Sequence, residues 1–182
     1  MNSRRRVNST VMRFFAVAAL CLFLATVPAM AQDSSASNYS HVTITLTMDG
    51  THCFCLQPGS EVSCCPQYSV TVDENGTVIY NGGYGAKVRG EKVHSISVSA
   101  VRDLVAEFFQ IDFFSREDRY EVKKLPNGNS ETIDHAYAST ISIDLDGKKK
   151  SVYLFYGAPQ ELTDLQHKLF DTLQITAYVG RS

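Results

Sequence analysis

The sequence predicts an α+β fold: an antiparallel β-sheet of hairpins with two α-helices packed on one face. Three observations carry this. Several segments alternate apolar and polar residues with a period of two, the mark of strands with one buried face. Asn75-Gly76 and Asp146-Gly147 stand between such segments, and these pairs readily take the backbone angles of tight hairpins. Two further segments carry apolar stripes at helical spacing. A helix with one apolar stripe must cover something, and the apolar face of a single sheet is the simplest cover.

The start of the chain is read as processing signal, not fold. Arg4, Arg5, Arg6 and Arg13 form a positive region, Phe14 to Val27 is apolar and uncharged, and Ala29-Met30-Ala31 supplies a small-x-small cleavage pattern. A cut between Ala31 and Gln32 leaves 151 of the 182 residues. The apolar run falls short of the roughly 20 residues a membrane helix needs, and no other stretch approaches that length. The expectation is an exported protein, periplasmic or secreted, with no membrane span in the mature chain. The leader holds four of the 17 basic residues and none of the 19 acidic ones, so 13 basic residues face 19 acidic ones in the mature part. That balance argues against nucleic acid, whose phosphates require concentrated Lys and Arg. It leaves an unidentified protein or envelope component as the expected partner.

Residues 32–40 read as a flexible lead-in and 41–179 as one α+β domain. The first strand follows from Val42, Ile44, Leu46 and Met48 alternating with Thr43, Thr45 and Thr47. Tyr68, Val70 and Val72 give the second strand. Glu74-Asn75-Gly76-Thr77 is the turn, and Val78 to Tyr80 is the return strand. Asn81 to Gly85 breaks it. Lys87 to Ser97 is predicted extended, with a turn at Gly90-Glu91. Ser99 is the expected N-cap of a helix whose Val101, Leu104, Val105 and Phe108 form one stripe, with Asp103 near its start favourable to the helix dipole. Ile111, Phe113 and Phe114 read as core anchoring its end. Ser115 to Ala138 is polar, with a turn at Pro126-Asn127-Gly128-Asn129. Ile141, Ile143 and Leu145 lead through Asp146-Gly147 to Val152, Leu154 and Tyr156. Gly157-Ala158-Pro159 opens the second helix, with Leu162, Leu165, Leu169 and Leu173 on one side. Ile175 to Val179 is a short strand or simply packs.

The densest feature lies between the first two strands: Cys53-Phe54-Cys55-Leu56-Gln57-Pro58-Gly59-Ser60-Glu61-Val62-Ser63-Cys64-Cys65. Four cysteines in an exported chain make disulfides the default. Three pairings exist. Bonding Cys53 to Cys55 and Cys64 to Cys65 needs two very tight rings. The nested pairing of Cys53 with Cys65 and Cys55 with Cys64 makes a two-rung ladder. The crossed pairing suits a hairpin-like loop less well. Closing a loop of this size is worth about 3 kcal/mol in the chain-entropy model. The braced residues Leu56, Gln57, Pro58, Gly59, Ser60, Glu61 and Val62 form the candidate binding loop. Metal binding is the competing use of four thiolates, Cu(I) foremost, but the paired two-residue gaps of zinc modules are missing, and no metal site or cofactor is expected. Thiol–disulfide exchange is the other, without its motif of two intervening residues.

Little else suggests chemistry. Asp134-His135 could do acid–base work, but no nucleophile motif accompanies it, and no catalytic residue is assigned. The leading expectation is therefore a non-catalytic binding domain. The alternatives are an envelope enzyme near Asp134 and His135, or a copper or thiol-redox handler using the cysteine loop.

Cys53-Phe54, Cys65-Pro66-Gln67-Tyr68, Gly76, Tyr80, Asp112-Phe113-Phe114, Asp146-Gly147 and Tyr156-Gly157-Ala158-Pro159 occur in an order and spacing that resemble an uncharacterised family of exported bacterial domains. That family carries a Cys-Phe-Gly-x-Cys-Pro-x-Tyr motif. The resemblance spans about residues 42 to 173. It implies that Cys53 and Cys65 are the basic staple, and that an inserted loop brings its own pair, Cys55 and Cys64. The family's Asp-x-Pro is replaced here by Asp134-His135-Ala136. The resemblance implies export and fold, and carries no activity.

Overall fold

The computed structural model describes residues 39–50, 66–134 and 137–179. Residues 1–38, which hold the expected signal and most of the expected lead-in, the four cysteines from Cys53 to Cys65, and His135 lie outside these described residues. So do the disulfide and loop assignments made on them.

The elements follow the residue patterns closely. Strand β1 (Val42–Asp49) buries Val42, Ile44 and Leu46 and leaves its threonines half-buried on the other side. β2 (Tyr68–Asp73) and β3 (Thr77–Gly82) form a hairpin about Asn75-Gly76, where Gly76 takes φ +82°. β4 (Gly90–Ser95) pairs antiparallel with β3. Helix α1 (Val98–Gln110) follows. Three two-residue strands come next: β5 (Arg119–Tyr120), β6 (Lys123–Lys124) and β7 (Ser130–Glu131). Strands β8 (Ala138–Leu145) and β9 (Lys148–Leu154) form the second long hairpin, and helices α2 (Gln160–Thr172) and α3 (Thr176–Val179) close the described chain.

The sheet has seven strands in the order β4-β3-β2-β1-β8-β9-β5, and β6 and β7 pair separately. Every neighbouring pair is antiparallel except β5 with β9. β1 is central and joins the two hairpins, facing β2 over six residue pairs and β8 over eight. Its register builds one apolar face in rows. Val78, Val72, Ile44 and Ile143 make one row, and Tyr80, Val70, Leu46, Ile141 and Val152 the next. The stripes of α1 (Val101, Leu104, Val105, Phe108) and α2 (Leu162, Leu165, Leu169) bury in the same core. The α+β class, with two main helices on one face, is therefore observed.

Three local readings are corrected. Ser97, not Ser99, caps α1: it has extended backbone (φ −70°, ψ 148°), and its Oγ accepts from the Ala100 N–H at 3.1 Å, while Ser99 only bonds that hydroxyl. With the helix starting earlier, Asp103 lies beyond the first turn, past the strongest part of the dipole. Gly90 does not form a turn with Glu91; it opens β4 at φ +79°, opposite Gly82. The polar segment after α1, read only as polar with one turn, carries the short strands β5, β6 and β7. Its parallel edge strand is held by the Tyr153 N–H donating to Asp118 O and the Phe155 N–H donating to Tyr120 O. The expected turn at 126–129 does join β6 to β7, closed by the Gly128 N–H donating to Leu125 O. Phe113 anchors the end of α1 edge-on to Phe108, with ring centroids 4.8 Å apart.

Candidate functional site

The third row of the inner face behaves differently from the first two. Register places Gly82, Tyr68, Met48, Ser139 and Leu154 side by side across five strands. A cavity of about 480 Å³ opens over this row. Met48, Tyr68 and Leu154 make its floor. One face of α2 makes a wall through Thr163, Gln166, His167 and Phe170. These recur at i, i+3, i+4 and i+7 and so lie on one side of the helix. The segment entering α2 closes another side with Phe155 and Tyr156. The volume falls in the range of small-molecule sites, which are mostly apolar with a few placed polar groups.

The surrounding contacts hold this geometry. Gly157, at φ +78°, brings the chain so close to Lys123 that a Cβ there would stand 2.5 Å from the Lys123 Cα. Glycine is therefore required where the wall turns into α2. The Tyr156 hydroxyl donates to Glu131 at 2.9 Å, which ties the wall to β7 and raises the phenol's pKa. On the floor, buried Ser139 donates its hydroxyl to Gln166 Oε1 at 3.1 Å, so sheet and helix together fix that carboxamide. Tyr68 is only 4% exposed, and its hydroxyl has no hydrogen-bond partner among the described residues. Burial, with Tyr80 beside it, pushes the Tyr68 phenol above its ordinary pKa, so it stays protonated. Tyr80 has a partner: its hydroxyl donates to Val88 O at 3.2 Å.

The sequence-predicted candidates fall in separate places. Cys53, Cys55, Cys64 and Cys65, and the loop between Leu56 and Val62, lie outside the described residues. The flanks of that stretch are described: Met48 and Pro66 both line the cavity, so the chain leaves and re-enters beside it. Asp134 is exposed and does not line the cavity, and nothing described joins it to a second ionisable group. The described histidines are dispersed. His41 lies near Glu74 and Asp144, His94 contacts Leu173 O, and His167 stands on the cavity wall. Among the described residues no group of His, Cys, Asp or Glu could hold a metal, and no helix is long and apolar enough to cross a membrane. The cavity itself escaped the sequence reading. The one local signal was the second face of α2, where Thr163, Gln166 and His167 run beside the leucine stripe and end in Phe170.

A family model described as Domain of unknown function (DUF6438) matches residues 60–173. The chain belongs to this family. The matched stretch takes in β2 to β9 and α2, and so most of the cavity. It starts inside the cysteine stretch, which leaves Cys53, Cys55 and β1 outside it, and the expected cysteine motif is not established by it. No curated protein matches the chain.

Proposed function

We propose that this DUF6438 chain is an exported, non-catalytic binding domain whose ligand sits in the aromatic cavity over the third row of the sheet. One observation carries the reading: the wall of α2 and the floor of the sheet converge on a preformed cavity of about 480 Å³, with Tyr68, Phe155, Tyr156 and Phe170 in its lining. Aromatic walls supply large contact area at little entropic cost, and a few fixed polar groups orient what binds. Met48 and Pro66, on either side of the cysteine stretch, both line the cavity, which suits a loop braced to contact the same ligand. Its nested pairing, Cys53 with Cys65 and Cys55 with Cys64, belongs to this proposal; peptide mapping of the exported protein without reductant tests it.

The cavity is tested by filling it. Thr163 lies on its wall and is not part of the leucine stripe, so Thr163→Trp should occupy the space and spare the core. A fragment library read by ligand-observed NMR should give hits on the wild type that vanish in the variant, with far-UV circular dichroism unchanged. Hits that survive in the folded variant place the site elsewhere.

A further inference from the structure

The geometry points to an uncharged aryl or acyl compound as the ligand, held by a carbonyl oxygen that accepts from the Gln166 carboxamide. This inference rests on the cavity being a binding site, and it names the chemistry that the cavity selects.

Three observations lead to it. The first is charge. Among the described residues no Asp, Glu, Lys or Arg lines the cavity, so neither an ammonium nor a carboxylate would meet a permanent counter-charge from them. Moving an unpaired ion out of water is costly, and a neutral ligand avoids that cost. The second is orientation. The buried Ser139 hydroxyl holds Gln166 Oε1, which occupies the acceptor end of the amide and leaves the Nε2 donors without a partner among the described residues. A side chain fixed from behind loses less entropy when it binds, so its donors are preorganised. The third is the floor. A second polar group without a partner among the described residues is the Tyr68 hydroxyl, buried in the floor row beside the flexible Met48 side chain. It too has a proton to donate. Donors therefore await an acceptor, set among aromatic rings that favour a planar or acyl body.

The test uses 2-acetylnaphthalene, 2-ethylnaphthalene and 2-(aminomethyl)naphthalene, three probes with one ring body, titrated by ligand-observed NMR against the full mature chain. The acetyl probe should bind about fivefold tighter than the ethyl probe, the worth of one net hydrogen bond, and the cationic probe weakest. Gln166→Met alone would leave the buried Ser139 hydroxyl unpaired. Ser139→Ala/Gln166→Met replaces both partners by apolar groups, a change that is nearly neutral for folding. In this double variant the acetyl preference should fall to about one while the ethyl probe keeps its affinity. Ser139→Ala alone should reduce the preference part-way, because Ser139 acts only by positioning Gln166. Equal binding of acetyl and ethyl probes to the wild type, or tightest binding of the aminomethyl probe, overturns the inference but leaves the cavity as a site. A preference that survives in the double variant also overturns it. If none of the three probes binds, the cavity proposal itself falls.

Discussion

Tyr68→Phe should make the protein more stable. The ring is buried at 4% exposure against Tyr80, with centroids 5.9 Å apart, and Phe keeps those contacts. Only the oxygen is lost, and that oxygen is buried without a partner among the described residues. An unsatisfied buried hydroxyl costs about 1–3 kcal/mol, so removing it should stabilise by about 1–2 kcal/mol. With a urea slope of about 2 kcal/mol/M, the midpoint should rise by about 0.5–1 M at neutral pH with the slope unchanged. Tyr80→Phe is the internal contrast. Its hydroxyl donates to Val88 O, and losing that bond should lower stability by about 1 kcal/mol. The alkaline limb supplies a second readout. The Tyr68 pKa is raised in the folded state, so the native protein holds this proton more tightly than the unfolded chain. That contribution is complete below the unfolded value near 10 and is lost as pH rises from there through the folded value. The wild type should therefore lose stability above about pH 10, and Tyr68→Phe should remove up to about 1.4 kcal/mol per pH unit from that slope. A midpoint that drops in Tyr68→Phe would refute the reasoning, because it would mean that the hydroxyl is bonded.

Gly76→Ala should destabilise by about 2–4 kcal/mol in urea titration, since φ is +82° and the new Cβ would stand 2.2 Å from the Ile96 carbonyl oxygen. Faster amide exchange at Ile96, whose N–H donates to Gly76 O, should accompany the loss. Asp146→Asn should flatten the acid limb of the stability curve. The Asp146 carboxylate accepts from the Ser40 hydroxyl and from the His41 and Ser40 N–H groups, which lower its pKa, so its contribution is present above about pH 4 and fades as pH falls through the depressed value.

Much of the fold was legible because its signals are local. The alternation of β1 and the stripes of α1 and α2 are periods of two and 3.6, and each element repeats its own for at least two turns or four residue pairs. Where competing residues were equivalent, tertiary contact decided. Ser95, Ser97 and Ser99 can all cap a helix; Ser97 does because the Ile96 N–H is bound to Gly76 O, so the chain stays extended to that point. β5, β6 and β7 have two residues each, too few to show a period, and the parallel pairing of β5 exists only because β9 lies beside it. The cavity was the least legible feature. Its floor is a register row, which appears only once Met48, Tyr68 and Leu154 are brought together from three strands. Ser139 and Gln166, 27 residues apart, gave no sign of contact in the chain.

The place of β1 gives the family match a further consequence. The match begins at residue 60, yet the strand that joins the two hairpins is Val42–Asp49. Without it, β2 and β8 each present an open edge across the middle of the sheet. The core loses Val42, Ile44 and Leu46, each 4% exposed or less. Burying such side chains is worth about 1.5–3 kcal/mol each, together about 5–9 kcal/mol, which is comparable to the whole stability of a typical domain. A chain starting at residue 60 should therefore fail to give a cooperative unfolding transition, and its unpaired edges should make it associate. It should also lose the cavity floor, because Met48 goes with the strand. Adding a peptide of residues 41–50 in trans should restore both cooperativity and probe binding. A soluble monomer from residue 60 that melts like the full chain would show that the two hairpins close on each other without β1, and one that also binds probes would show that the row holding Tyr68, Met48 and Ser139 is not what builds the cavity.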